Sequence, residues 1–311
     1  MKSAIKFTFG TMLVASLAAP SVQANVLDRV AVNGTVTYTE ATNNGLSVGE
    51  LASYRQIFVE PRHEWDYGLG FSYRLEGSDT HLYLDFDHFK DSKDRFAALL
   101  TNIGRASANG AAAASHFTQE TRVGIMHALH FGSKLDLTLN GFFDFAKLQR
   151  KLDETMVSGA NIHYRHTENE LKGYGPGFGA MVRALPFSDC PQFGLFGGAN
   201  VALLYSDQDF TQVVYQNGVV SENHFPESSK SMVTKVDAEF GVDYRKVFRN
   251  DMANCSFQAA LGMRYMNAVN AFKNGNTAWN SGSNFATYLG APNDFGRMGP
   301  FLRITLGGVD A

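Results

Sequence analysis

Between Leu135 and Phe145 the chain alternates with a period of two. Leu135, Leu137, Leu139, Phe143 and Phe145 fall on one side, and Asp136, Thr138, Asn140 and Asp144 on the other. A strand turns successive side chains to opposite faces, so this segment has one apolar face and one wet face. The pattern returns along most of the chain in segments of about ten residues, the length a tilted strand needs to cross a bilayer. In lipid every backbone donor and acceptor must be bonded within the protein, and a sheet achieves this only by closing on itself.

Ten such segments are read, at about 30–39, 63–75, 80–89, 117–131, 135–145, 172–186, 193–205, 233–247, 255–269 and 298–307. The cleanest sets Val236, Ala238, Phe240, Val242 and Tyr244 against Asp237, Glu239, Asp243 and Arg245. The expected fold is all-β, an antiparallel transmembrane β-barrel of about ten strands, with eight and twelve as the neighbouring alternatives. The connections alternate between short (76–79, 132–134, 187–192, 249–254) and long (40–62, 90–116, 147–171, 206–232, 270–297). Short periplasmic turns and long outer loops are the bacterial arrangement, and an even strand number returns both ends to the periplasm. The alanine-rich stretch 105–115 is read as a surface loop. No linker divides the chain, so residues 25–311 are taken as one domain.

Alternation alone does not say which face looks inward. Three observations put the apolar face toward lipid. The strands are about twice the usual globular length. Trp65, Tyr67, Phe193, Tyr205 and Tyr244 sit near strand ends, where a membrane interface holds aromatics. The wet faces combine glycines with charges of both signs. A charge at mid-membrane on the lipid face costs about 2–4 kcal/mol, and those faces carry almost none. His127 is the exception, close to the turn at Gly132. Thirty glycines and only eight prolines suit long strands, and a slightly negative mean hydropathy is what a barrel with a wet interior shows.

The N-terminus reads as a secretory signal. Lys2 and Lys6 precede an apolar run from Phe7 to Ala19, and Val22-Gln23-Ala24 supplies small residues for cleavage after Ala24. Residues 1–24 are therefore expected to be removed, which takes the formal charge from −3 to −5. A mildly acidic chain gives no case for nucleic-acid binding. The implied place is the outer membrane of a Gram-negative bacterium, reached through the periplasm.

Inward positions carry the acids Glu64, Asp66, Asp85, Asp87, Glu120, Asp136, Asp144, Asp237, Glu239 and Asp243. They also carry Arg74, Arg122, Arg183, Arg245, Arg264 and Arg303. Such walls form a charged, water-filled constriction for small solutes and ions, with a weak preference for cations because acids outnumber bases. The same charges could instead pair across a narrow lumen and fill it, and ten strands lie near the filled end of the size range. Cys190 and Cys255 flank short periplasmic turns, where the oxidising compartment favours a disulfide. Cross-links between subunits and two free thiols are the alternatives. No enzyme, cofactor or metal is expected. His163 and His166 lie near Glu168 and Glu170 without metal-ligand spacing, and Gly175-Pro176-Gly177-Phe178-Gly179 lacks the lysine and helix of a phosphate loop.

Further segments stand out: His63-Glu64-Trp65-Asp66-Tyr67-Gly68, Gly173-Tyr174-Gly175-Pro176-Gly177, Val236 to Tyr244, Tyr265-Met266-Asn267-Ala268 and Gly299-Pro300-Phe301. In these segments the chain resembles the Legionella-type major outer membrane protein family. They occur in the family's order and cover most of the mature chain. The resemblance implies a pore-forming, porin-like role and surface display. Disulfide cross-links are used by the family's best-known members, whereas this chain has two cysteines. The partners that follow are outer-membrane lipid, the barrel assembly machinery and small solutes, with a homo-oligomer and a host surface ligand left open. A structural or adhesive barrel with a plugged lumen, acting through its outer loops, is the alternative function.

Overall fold

The computed structural model describes residues 29–42, 46–50, 56–59, 64–90, 94–103, 106–158, 160–187, 190–250, 253–279 and 285–308. The signal segment and its cleavage point after Ala24 lie outside them. The strands are β1 (Val30–Thr42), β2 (Leu46–Glu50), β3 (Gln56–Val59), β4 (Glu64–Arg74), β5 (Thr80–Lys90), β6 (Asp94–Ile103) and β7 (Ala106–Phe131). They continue with β8 (Leu135–Ser158), β9 (Asn161–Ala184), β10 (Phe193–Gln216), β11 (Val219–Asn250), β12 (Ala253–Trp279) and β13 (Phe285–Gly308). Ten of these close a ring of antiparallel pairs, β1-β4-β5-β7-β8-β9-β10-β11-β12-β13, and β13 returns to β1. The ten-strand antiparallel barrel expected from the alternation is the fold. Outside the ring, β6 folds back on the outer end of β7, and β2 pairs with β3 alone.

Most of the described residues in the long outer connections are strand. The 147–171 stretch is the continuation of β8 and β9, and 206–232 that of β10 and β11. Most of 270–297 extends β12 and β13. The alanine-rich stretch is also strand: Ala108–Ala114 pairs with Leu152–Ser158 on one side and with β6 on the other. The β10–β11 hairpin turns on Asn217 (φ 52°) and Gly218 (φ 80°), the left-handed pair that a two-residue turn requires. Gly77 (φ 66°) and Gly132 (φ 67°) serve the short turns at the opposite end.

The faces exchange roles along these strands. On the ring's lower half the apolar side chains point outward and are exposed, among them Leu69, Ile125, Phe178, Leu203, Phe240 and Leu261. A row of aromatics ends this band. Phe145, Tyr174 and Tyr205 are direct neighbours on β8, β9 and β10, and the tilted rings of Tyr38 and Trp65 lie 5.0 Å apart. At the other end Phe193 meets Tyr244 at 5.1 Å. One step beyond the first row the outward positions become Lys147, Lys172, Asp207 and Lys230, while Leu148, Leu171 and Leu204 turn inward and are buried. The band between the aromatic rows is the lipid-facing surface. His127 sits at its periplasmic edge, where its Nδ1 lies 2.9 Å from the Thr80 hydroxyl.

The expected Cys190–Cys255 disulfide is not formed: both thiols are free and exposed. Cys190 precedes β10 and Cys255 begins β12, so two strand spacings, about 10 Å, separate their positions. A disulfide needs Cα atoms within about 7 Å. Both cysteines of the folded, unreduced protein should therefore react with a membrane-impermeant maleimide. A chain that takes up no label without reductant would contradict the arrangement.

Candidate functional site

The inward faces of the lower half converge on a belt of ion pairs across the lumen. Lys235 on β11 reaches Glu120 on β7 at 2.5 Å and Asp144 on β8 at 2.7 Å. Arg122 on β7 reaches back to Asp237 on β11 and also contacts Glu120 at 3.3 Å and Asp144 at 3.5 Å. Arg264 on β12 forks onto Asp87 on β5, at 2.6 and 3.2 Å. Arg297 on β13 holds Asp66 on β4 and approaches Glu120 at 3.5 Å. Strands β7 and β11 stand four places apart in a ring of ten, as do β5 and β12. These bonds therefore cross the lumen instead of running along its wall.

Glycines make room for the crossing. A methyl at Gly68, opposite Asp87 on the neighbouring strand, would collide with the carboxylate that Arg264 grips. On the outer side of the belt lies an apolar layer, with Leu148, Leu171, Leu204, Val233, Ala268 and Phe295 fully buried in one cluster.

Together the two layers give every strand of the ring a buried inward side chain. Thr39, Asp66, Phe89, Glu120 and Asp144 represent β1, β4, β5, β7 and β8 there. Leu171, Leu204, Lys235, Met266 and Arg297 represent the other five strands, and none of the ten residues is more than 3 % exposed. Wall residues of an open channel would be wet. At this level the inward charges pair with one another, as in the alternative to a water-filled constriction, because a ten-strand ring is narrow enough for opposite walls to touch.

On the periplasmic side of the belt the lumen opens into a cavity of about 530 Å³. Asn33, Tyr83, Asp85, Asn140, Asn200 and Thr305 line it. Glu239 and Arg303 face it as a forked pair at 2.9 and 2.6 Å. Near the rim Asp243 accepts from Arg183 at 2.8 Å and lies 3.2 Å from Arg245.

The predicted wall residues therefore divide by height. Asp66, Asp87, Glu120, Arg122, Asp144, Asp237 and Arg264 form the belt, of which Asp87, Arg122, Asp237 and Arg264 also border the cavity, and Asp85, Glu239 and Arg303 face that cavity. Arg183, Asp243 and Arg245 form the rim cluster. Glu64 lies two residues outward of Asp66 on the same face. Arg74 is tied to the β4–β5 turn through Asp79 at 2.6 Å, and Asp136 to the β7–β8 turn through His130 at 2.7 Å. Neither lines a constriction. Two belt residues escaped the sequence reading, Lys235 and Arg297. Lys235 shares the phase of Asp237, so the alternation marks it. Arg297 lies just before the stretch read as the last strand.

Among the described residues no group of three or more His, Cys, Asp or Glu is placed to hold a metal ion. His166 lies on the outward face of the β8–β9 extension with Nδ1 2.6 Å from Asp153. The side chain of His163 lies outside the description.

Residues 21–308 match the model of the family described as Legionella pneumophila major outer membrane protein precursor. None of the curated proteins compared matches the chain. Among solved structures, the outer membrane protease OmpT from Escherichia coli aligns at 8 % identity with a TM-score of 0.48, over 90 % of this chain and 97 % of that one. The translocator domain of the autotransporter NalP from Neisseria meningitidis aligns at 9 % identity with a TM-score of 0.37, over 95 % and 92 %.

Proposed function

The chain belongs to the Legionella major outer membrane protein family and is a β-barrel of the bacterial outer membrane; from that premise we propose that it is a porin-like, non-catalytic conduit closed at rest by its ion-pair belt. The observation that supports this reading is that each of the ten strands contributes a buried side chain to the two layers. The cavity below it supports an ion path from the periplasmic side. Arg122 and Lys235 each touch Glu120, Asp144 and Asp237. A cation that leaves one carboxylate there meets another, so partners can exchange without a bare buried charge.

Opening by re-pairing admits small ions and not bulky solutes. The belt carboxylates Asp66, Asp87, Glu120, Asp144 and Asp237 outnumber Arg122, Lys235, Arg264 and Arg297. Transient openings therefore favour cations weakly.

Recording from folded protein in a planar bilayer tests this. Small, infrequent steps with a reversal potential on the cation side are expected. Wide, lasting steps at every insertion would overturn closure at rest. Silence from the wild type and from Lys235→Met alike would overturn the conduit.

A second reading rests on the outer hairpins. Above the aromatic row, β8 and β9 display a ladder of charges on their outward face. Lys147 and Lys172 meet Glu170 at 3.3 and 2.5 Å, and Lys151 meets Glu168 at 3.1 Å. Such an ordered polar surface suits contact with a partner outside the cell, and on this reading the barrel is its anchor.

A further inference from the structure

Beyond the belt and the apolar layer, the interior of the outer hairpins becomes polar again. Arg150 on β8 points inward there and is 97 % buried. Its strand neighbours on the same rung are His116 on β7 and Asn169 on β9, both buried. Neighbours across a rung lie about 5 Å apart and diagonal ones about 7–8 Å, so Thr118 and Gln212 belong to the same enclosure. The Thr118 hydroxyl and the Gln212 side-chain carbonyl are buried without a hydrogen bond, and so is Nη1 of Arg150.

Four other buried cations of the barrel are matched by acids. Arg122, Arg183, Lys235 and Arg297 each touch a carboxylate. Among the described residues no carboxylate touches Arg150. The ring of Phe272 lies 4.8 Å from its guanidinium carbon. A cation–π contact is weaker than the penalty for removing an ion from water. Burial alone pushes the Arg150 guanidinium down to about 10.

We propose that this enclosure is a binding site for a small oxyanion, a phosphate, sulfate or carboxylate group, with Arg150 as its charged anchor. A planar guanidinium presents paired donors that match such oxygens, and Asn169 and Thr118 add neutral donors beside it. The apolar layer closes the site from below, so the anion arrives from the outer face, either free or as the charged end of a larger solute. The site is independent of conduction through the belt.

The test uses the full folded chain in detergent, with inorganic phosphate, sulfate and glycerol phosphate titrated against chloride at matched ionic strength. Saturable heat and a rising Tm are expected with phosphate or sulfate. A stronger response to glycerol phosphate would mark a solute's terminal group as the better ligand. Arg150→Gln should bind about tenfold more weakly or worse, the loss expected when a charge-assisted contact goes. Lys172→Gln, on the exposed outer face, should bind as the wild type does. In phosphate-free buffer Arg150→Gln should melt no lower than the wild type, because it removes an uncompensated buried charge. Absence of saturable binding at millimolar anion, or unchanged binding in Arg150→Gln, would overturn the site. Failure of Arg150→Gln to fold would overturn it as well, by making the guanidinium a structural prop.

Discussion

Lys235→Met is expected to destabilise the folded barrel by about 3–5 kcal/mol and to multiply its conducting events. The ammonium is fully buried and bonds Glu120 at 2.5 Å and Asp144 at 2.7 Å, with Asp237 at 3.8 Å. Methionine fills similar volume without charge, so the loss is chiefly electrostatic. Three buried carboxylates would then be left to Arg122, with Arg297 3.5 Å from Glu120 alone among them. An unmatched buried charge either recruits a proton or draws in water, and water in the belt is what an open lumen requires. Urea unfolding of the reconstituted protein reads the first effect, and step frequency in a planar bilayer reads the second. Lys230→Met provides the comparison, since Lys230 is exposed and rests beside the Tyr205 ring at 5.9 Å. It should shift stability by no more than about 0.5 kcal/mol. Equal behaviour of the two variants would remove the belt from its role as closure.

The contrast between Lys235 and the lipid-facing residues also explains what a reader of the sequence alone could see. Period-two alternation reports the local solvent on each face of a strand, so the ten crossings and their outward faces are legible from Leu69, Phe178 or Phe240. The outer hairpins are not, because the pattern changes sign. In Lys147-Leu148-Gln149-Arg150-Lys151-Leu152 the apolar positions are even, whereas below Phe145 they are odd. An eye fixed on one phase takes that switch for the end of a strand, although the strand runs on to Ser158. The Asn217-Gly218 pair marked the β10–β11 turn locally, within a stretch taken as loop for the same reason.

The belt posed a different difficulty. Its members were nearly all identified as inward charges, but whether they line water or grip one another depends on which strands face across the ring. The Lys235–Glu120 and Arg264–Asp87 pairs join residues 115 and 177 positions apart in the chain. No local pattern encodes that pairing. The same limit applies to Arg150, whose inward aim follows from the alternation but whose lack of a carboxylate among the described residues follows only from the fold.

Phe178→Arg should cost about 2–4 kcal/mol, whereas Val213→Arg should cost about 1 kcal/mol or less. Both positions point outward, Phe178 on β9 and Val213 on β10. Phe178 is 70 % exposed and lies between the two aromatic rows, four residues from Tyr174. Val213 lies eight residues beyond Tyr205, or about 27 Å along the strand, among the charged outer positions. A soluble barrel would accept arginine at either place at little cost, since both side chains would face water. A barrel in lipid rejects it only between the aromatic rows, where the guanidinium must abandon hydration or drag headgroups inward. Folding titrations into vesicles measure the difference. Equal costs at the two sites would place the membrane elsewhere on the strands. No cost at Phe178 would remove it from that face of the barrel, and with it the distinction between the greasy outside and the paired charges within.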